Sequence, residues 1–210
     1  MIIYGASGHG KVVADILRAC GMEIQGFVDD DPRKPGDVYG LKILGGAEWL
    51  AERACCQAVA IALGIGDNFV RRAIVERCAP MGVRLLTAVH PAATISGSAK
   101  ISPGVVIMAH AVVNADAVIG CGAIVNTGAI IEHDCNVGNF AHLSPRVAIG
   151  GHVEIGDFSW LGIGSTVISN RKIGTGSIVG AGATVIHNVD DWVVSVGVPA
   201  RTLKKLEPRN

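Results

Sequence analysis

The stretch IGCGAIVNTGAIIEHDCNVGNFAHLSPRVAIGGHVEI, residues 119–155, returns to an aliphatic side chain at every sixth position. Those positions are Ile119, Val125, Ile131, Val137, Leu143, Ile149 and Ile155. The same step continues through Ile95, Ile101, Ile107 and Val113 upstream, and through Leu161, Val167, Ile173, Val179 and Val185 downstream. Four places after each aliphatic residue stands a small or modest one, such as Ala117, Ala123, Ala129, Cys135 and Ala141, with Arg171 the one exception. Glycine often follows the aliphatic residue directly, as at Gly120, Gly138, Gly150, Gly156, Gly162, Gly174 and Gly180. A helix repeats at 3.6 residues and an ordinary strand at 2, so neither explains a step of six. An aliphatic, small and glycine hexad predicts a parallel β-helix, each hexad giving one short strand and a corner, three hexads one coil. Aliphatic ladders fill the prism, small residues fit its corners, and Gly and Asn are expected to supply unusual backbone angles at the turns.

Residues 1–88 read differently. MIIYGASGHG is a short apolar strand entering a glycine turn, and KVVADILRACG a helix with a glycine C-cap. MEIQGFVDDDP is a second strand, GAEWLAERA a helix, QAVAIALGIGDN a third strand and NFVRRAIVERCAPMG a third helix. This alternation predicts a small parallel sheet of about three or four strands, half of a dinucleotide fold. Residues 89–200 then form the β-helix and 201–210 a C-terminal tail. Gly5, Gly8 and Gly10 at a helix N-terminus suit a phosphate, and Asp29, Asp30 and Asp31 follow where a carboxylate commonly meets a ribose. The glycine spacing is GxxGxG rather than GxGxxG, so a mononucleotide diphosphate fits better than NAD.

With 18 basic and 18 acidic residues among 210, the chain carries no basic stripe for nucleic acid. No window reaches the length of a membrane span, and the N-terminus lacks a signal-peptide pattern, so a cytoplasmic protein without membrane insertion is expected. The six cysteines lack a CxxC pair and sit among apolar residues, which reads as reduced, buried thiols.

The apolar repeat is interrupted by Glu132, His133 and Asp134. Inward positions are taken by Ile131, Cys135 and Val137, so His133 lies near the outer surface, where Asp134 can fix its tautomer. His142 is nine residues away, half a coil, so the two histidines meet only across an interface between prisms. That predicts a trimer with sites between chains. Cys135 points inward, which argues against an acyl-enzyme. The histidines 9, 90, 110, 133, 142, 152 and 187 contain no H-x4-H pair, which argues against a zinc enzyme of the gamma carbonic anhydrase kind, and His90, His110, His152 and His187 read as solvated or packing residues.

Taken together, IYGASGHGKVV, VDDD, IALGIGDN, HPAATIS, NTGAIIEHDCNVGNFAHLS and GVPA resemble bacterial nucleotide-amino-sugar N-acetyltransferases of the bacillosamine and perosamine type, close to sialic acid O-acetyltransferases. The resemblance implies a small α/β nucleotide-sugar domain on a left-handed β-helix, a homotrimer, and acetyl-CoA as co-substrate with no metal. It implies His133 as general base, oriented by Asp134, with Asn126 near the sugar. His142 would lie at the thioester and Gly151 would face the acetyl oxygen. Gly162, Gly180, Ala181, Gly197, Val198 and Pro199 fall along the implied CoA groove. Gly8, His9, Gly10, Asp29, Asp30, Asp31, Gly66 and Asn68 fall in the implied nucleotide-sugar pocket. Pro145 and Arg146 depart from the small residues usual there, which bears on the groove and not on the base. The rival activity is O-acetylation of a sialic acid or another sugar hydroxyl, since a hydroxyl and an amine need the same base.

Overall fold

The computed structural model describes residues 1–34 and 36–209. Pro35 and Asn210, within the expected N-terminal domain and tail, lie outside the described residues.

The N-terminal unit contains β1 (Ile2–Tyr4), α1 (Gly8–Ala19), β2 (Gly26–Val28), β3 (Asp37–Val38), β4 (Leu41–Gly45), α2 (Ala47–Cys56), β5 (Ala60–Leu63), α3 (Asn68–Cys78) and β6 (Arg84–Leu85). Its sheet has six strands in the order β3-β4-β2-β1-β5-β6, wider than the sequence suggests. One reason is a hairpin. Val38 pairs with Leu41, and Tyr39 and Gly40 between them have φ of 57° and 70°, the two-residue turn whose twist suits antiparallel strands. The others run parallel, β1 pairing with both β2 and β5. Burial of Ile3, Val13, Ile16, Leu17 and Phe27 fixes α1 on one face of the sheet. Leu50, Ile61, Leu63, Ile74 and Cys78 form the core on the other.

The rest is a left-handed β-helix with three flat faces. One face stacks Ala88–Val89, Val106–Ile107, Ile124–Val125, His142–Leu143, Trp160–Leu161, Ile178–Val179 and Val193–Val196, ending on Arg201–Lys205. The second runs from Thr94–Ile95 to Thr184–Val185, and the third from Lys100–Ile101 to Lys172–Ile173. Register advances by one coil at each step, Ile124 pairing with His142 and His142 with Trp160. Aliphatic positions 107 to 185 are all buried in one column of core with the small residues between them. Three of those small residues hold coils together, since Ser159 Oγ donates to Gly174 O, Ser177 Oγ to Asp190 O and Cys135 Sγ to Gly150 O. Arg201–Lys205, within the expected tail, pairs antiparallel with Val193–Val196 and so extends the first face.

The corners correct one expectation. Left-handed backbone recurs every sixth residue from Gly104 through His110, Asp116, Gly122, Gly128, Asp134, Phe140, Arg146, His152, Phe158, Gly164, Asn170 and Gly176 to Gly182. Most of these are not glycine. The glycines that directly follow the aliphatic residues have ordinary angles and serve another need, close approach of the next coil. A Cβ on Gly120 would stand 2.6 Å from Asn139 N, and one on Gly162 2.6 Å from Ala181 N.

Buried contacts join the two units. Arg71, with no solvent exposure, donates to Gly122 O and Phe140 O of the β-helix and to Ile65 O, Gly66 O and Asn68 Oδ1 of its own unit. Asn68 Nδ2 donates to Phe158 O at 2.8 Å, and Phe69 stacks on Phe158.

Candidate active site

His133 and Asp134 occupy a corner between the second and third faces, with Asp134 in the left-handed region. That geometry turns both side chains outward while Ile131 and Cys135 face the core. His133 Nδ1 lies 2.7 Å from Asp134 Oδ2. A carboxylate accepts, so Nδ1 carries the proton and Nε2 presents its lone pair. Gly151 lies against that nitrogen, for a Cβ there would meet His133 Nε2 at 2.7 Å. A side chain at this position would push the imidazole out of the place it occupies. Gly151 O accepts from Asn170 N at 3.0 Å, and His133 O accepts from His152 N at 3.1 Å, which ties the corner to the next two coils.

His142 lies on the first face beneath the N-terminal unit and is buried. Asn126 Nδ2 lies 3.1 Å from its Nε2, and its ring stacks on Trp160 at 5.8 Å and 7°. Burial, then the nearby Arg71 guanidinium, pushes the His142 pKa down to about 4, with the Gly66 backbone opposing the shift. His9, near the start of α1, is driven to about 3 by burial, then by His142 and Arg71. Both imidazoles are therefore neutral at pH 7. Asn126 thus holds His142 rather than standing alone. His142 is served by its own chain's α/β unit, and its partners differ from those of His133.

The other expected residues separate into open and committed positions. Gly8 and Gly66 face open space, where a Cβ would meet nothing within 4 Å. Gly10 is buried, and its Cβ would fall 2.0 Å from Gly5 O, so backbone packing alone requires glycine there. Asp29 accepts from Ala6 N at 2.7 Å and Asp31 N at 3.0 Å, with Lys34 3.6 Å away. Asp30 accepts from Ala47 N at the start of α2 and from Tyr4 Oη. Burial opposes its ionisation, but hydrogen bonds from Arg77, Tyr4 and Ala47 outweigh that and hold its carboxyl below the usual range. Asp31 is paired with Arg33 at 2.8 Å. The three aspartates line one cleft of about 740 Å³ together with Lys34, Trp49 and Arg77. Asn68 spends its amide on Phe158 O and Arg71, a bridging duty. Gly162 and Gly180 pack against the next coil near Ala181 and Val196, while Gly197 has φ 96° and Val198 beside Pro199 is 73% exposed. Cys135 is buried with its thiol pKa raised by burial, which fits its inward placement.

His152 is exposed, as the sequence reading has it, and it also stands against the His133–Asp134 pair. Its ring meets His133 edge-on at 5.4 Å, and its Nε2 lies 3.6 Å from Asp134 Oδ2. The signal was an offset of one coil between Asp134 and His152, the same offset that pairs His142 with Trp160.

Residues 1–78 match the family described as PglD N-terminal domain, and residues 152–187 match the bacterial transferase hexapeptide (six repeats). A mutant of the GDP-perosamine N-acetyltransferase of Caulobacter crescentus, solved with CoA and GDP-perosamine, is 38% identical with a TM-score of 0.93, over 97% of this chain and 96% of that one. The chain belongs to the PglD-type sugar N-acetyltransferases. A second member of this family, the acetyltransferase domain of PglB from Neisseria gonorrhoeae in complex with acetyl coenzyme A, is 38% identical with a TM-score of 0.90, over 96% of this chain and 98% of that one. The UDP-N-acetylbacillosamine N-acetyltransferase of Bacillus subtilis is 37% identical over 115 residues, which span 51% of this chain and 50% of that enzyme. For this PglD-type acetyltransferase, no helix among the described residues is long and apolar enough to cross a membrane.

Proposed function

We propose that the chain transfers the acetyl group of acetyl-CoA to the amine of a nucleotide-linked amino-dideoxy sugar, with His133 as general base. The observation that carries this is the His133 Nδ1 to Asp134 Oδ2 contact of 2.7 Å, which leaves Nε2 free beside Gly151. The sugar amine attacks the thioester carbonyl carbon, and His133 Nε2 takes the proton that the nitrogen loses. A Gly151 N–H facing the carbonyl oxygen would stabilise its negative charge, an interaction worth about 3 kcal/mol. As the carbon–sulfur bond breaks, the imidazolium returns the proton to the thiolate. No covalent enzyme intermediate forms.

The acceptor enters from the α/β unit, where Gly8 and Gly66 offer open backbone near His9 and His142 and the aspartate cleft lies beside α2. The chain works as a homotrimer. In support, His133 and His142 stand on different faces with separate partners, and Ile130, Trp160, Ile163, Ile168 and Val198 are exposed on the β-helix. A neighbouring chain's His133 then completes the site formed by His142 and His9. Six cysteines without a disulfide support work in the cytoplasm.

The test is CoA thiol release from acetyl-CoA with UDP- and GDP-linked 4-amino-4,6-dideoxy sugars and with free sialic acid. Turnover with one amino sugar alone supports N-acetylation and names the nucleotide. Turnover with sialic acid alone replaces it by O-acetylation.

A further inference from the structure

We propose that His133, Asp134 and His152 form an inhibitory site for a zinc-like divalent cation, with Asp134 as the shared centre. Its inhibitory half rests on the reading of His133 as base. The ligating atoms of the three residues all lie within 4.8 Å of one another. Tetrahedral zinc with Zn–N and Zn–O bonds of about 2.0–2.2 Å sets neighbouring ligand atoms about 3.3–3.6 Å apart. His152 Nε2 already stands 3.6 Å from Asp134 Oδ2, whereas His133 Nδ1 at 2.7 Å must open by rotation of exposed side chains. The backbone is fixed for this. Asp134 and His152 occupy successive corners of one left-handed column at φ 59° and 57°, and His152 N donates to His133 O. Two imidazoles and one carboxylate with solvent access match a three-ligand zinc site whose fourth position is water.

Occupancy and catalysis exclude each other. Cation binding at Nδ1 moves the ring proton from that nitrogen to Nε2 and turns Asp134 from orienter to ligand. Nε2, now an N–H, has no lone pair left to take the proton of the attacking amine. His152 alone separates the two states, because it is a ligand of the cation and has no step in the acetyl transfer.

Calorimetric titration of the full chain with zinc chloride, and Co²⁺ spectroscopy on the same sample, test the site independently of turnover. One cation per chain is expected, with tetrahedral Co²⁺ bands and no thiolate charge-transfer band. Inhibition is then measured relative to each protein's own metal-free rate. Mutation of even an outer-shell partner costs about 10–100-fold in metal affinity, so His152→Asn should raise the half-inhibiting zinc concentration at least about tenfold. Asn tolerates the left-handed corner, as Asn170 does, so the variant keeps its fold. Equal zinc sensitivity in wild type and His152→Asn overturns the site. So does a thiolate band, which assigns the cation to exposed Cys20, Cys55 or Cys56. Zinc bound at full stoichiometry with turnover unchanged overturns the inhibition. Silence across the acceptor panel with the expected calorimetry faults the acetyl-transfer reading and leaves the site standing.

Discussion

Asn126 Nδ2 lies 3.1 Å from His142 Nε2, so the amide donates to that nitrogen and the imidazole carries its own proton on Nδ1. Replacing this donor with an acceptor, Asn126→Asp, should move the proton to Nε2 and raise the His142 pKa by about one unit or more. ¹⁵N shifts of the His142 ring, followed from pH 8 to pH 4, report both changes. An unchanged tautomer would show that Asn126 does not set it.

His133→Ala should lower turnover by about 10²–10⁴-fold, with little effect on binding of the nucleotide sugar. Asp134→Asn keeps a side chain of the same shape but loses the acceptor for Nδ1–H, and should fall less far than the alanine variant. Steady-state kinetics separates kcat from KM in each. A His133→Ala enzyme at wild-type turnover removes the base.

The two buried imidazoles give stability a pH dependence of defined sign. His142 and His9 have folded pKa values of about 4 and about 3 against an ordinary 6.5, so between these limits the unfolded chain binds more protons. Stability is therefore unaffected by them above pH 6.5 and declines as pH falls through the window from 6.5 towards 4. The slope reaches about 1.4 kcal/mol per pH unit for each histidine. Urea denaturation at pH 7.5, 6.0 and 5.0 measures it, and His9→Gln should flatten the curve. A flat wild-type profile would contradict the burial of both rings.

Two neighbouring glycines should respond oppositely to substitution. Gly162→Ala forces a Cβ to within 2.6 Å of the Ala181 backbone and should cost about 1–3 kcal/mol. Gly164→Asn, at an open corner with φ 66°, should cost well under that, because Asn170 fills an equivalent corner at φ 60°. Thermal melts of the two variants rank them, and a larger loss in Gly164→Asn would reverse the assignment of roles.

Much of the fold was legible because a β-helix exposes the same interior every six residues, and Ile95 to Val185 report it without a slip. The aspartate cluster and the glycine turn were legible as features, but their bonding was not. Asp29 and Asp30 look free in sequence, yet they are committed to Ala6, Ala47 and Tyr4, contacts that only the pairing of β2 with β1 and β4 creates. Gly10 looks like a phosphate glycine, whereas its packing on Gly5 already requires it. His152 could have been found by reading one full coil ahead of Asp134. Arg71 and Asn68 could not, because no local pattern announces contacts to Gly122 and Phe158 across a domain boundary.

The socket around Arg71 bears on how such proteins can be recombined. Its guanidinium is met by carbonyls of both units, and among the described residues no carboxylate lies within ion-pair distance of it. A chimaera that grafts residues 1–87 onto another β-helix therefore carries a cation whose receptacle is written in the recipient's residues 122 and 140. Backbone carbonyls supply that receptacle, so a recipient in the same coil register offers it whatever its side chains there, provided it also supplies a ring for Phe69 where Phe158 stands, and a recipient one hexad out of step strands the charge. The α/β unit is thus exchangeable in whole coils, a currency of eighteen residues, and not at an arbitrary splice point.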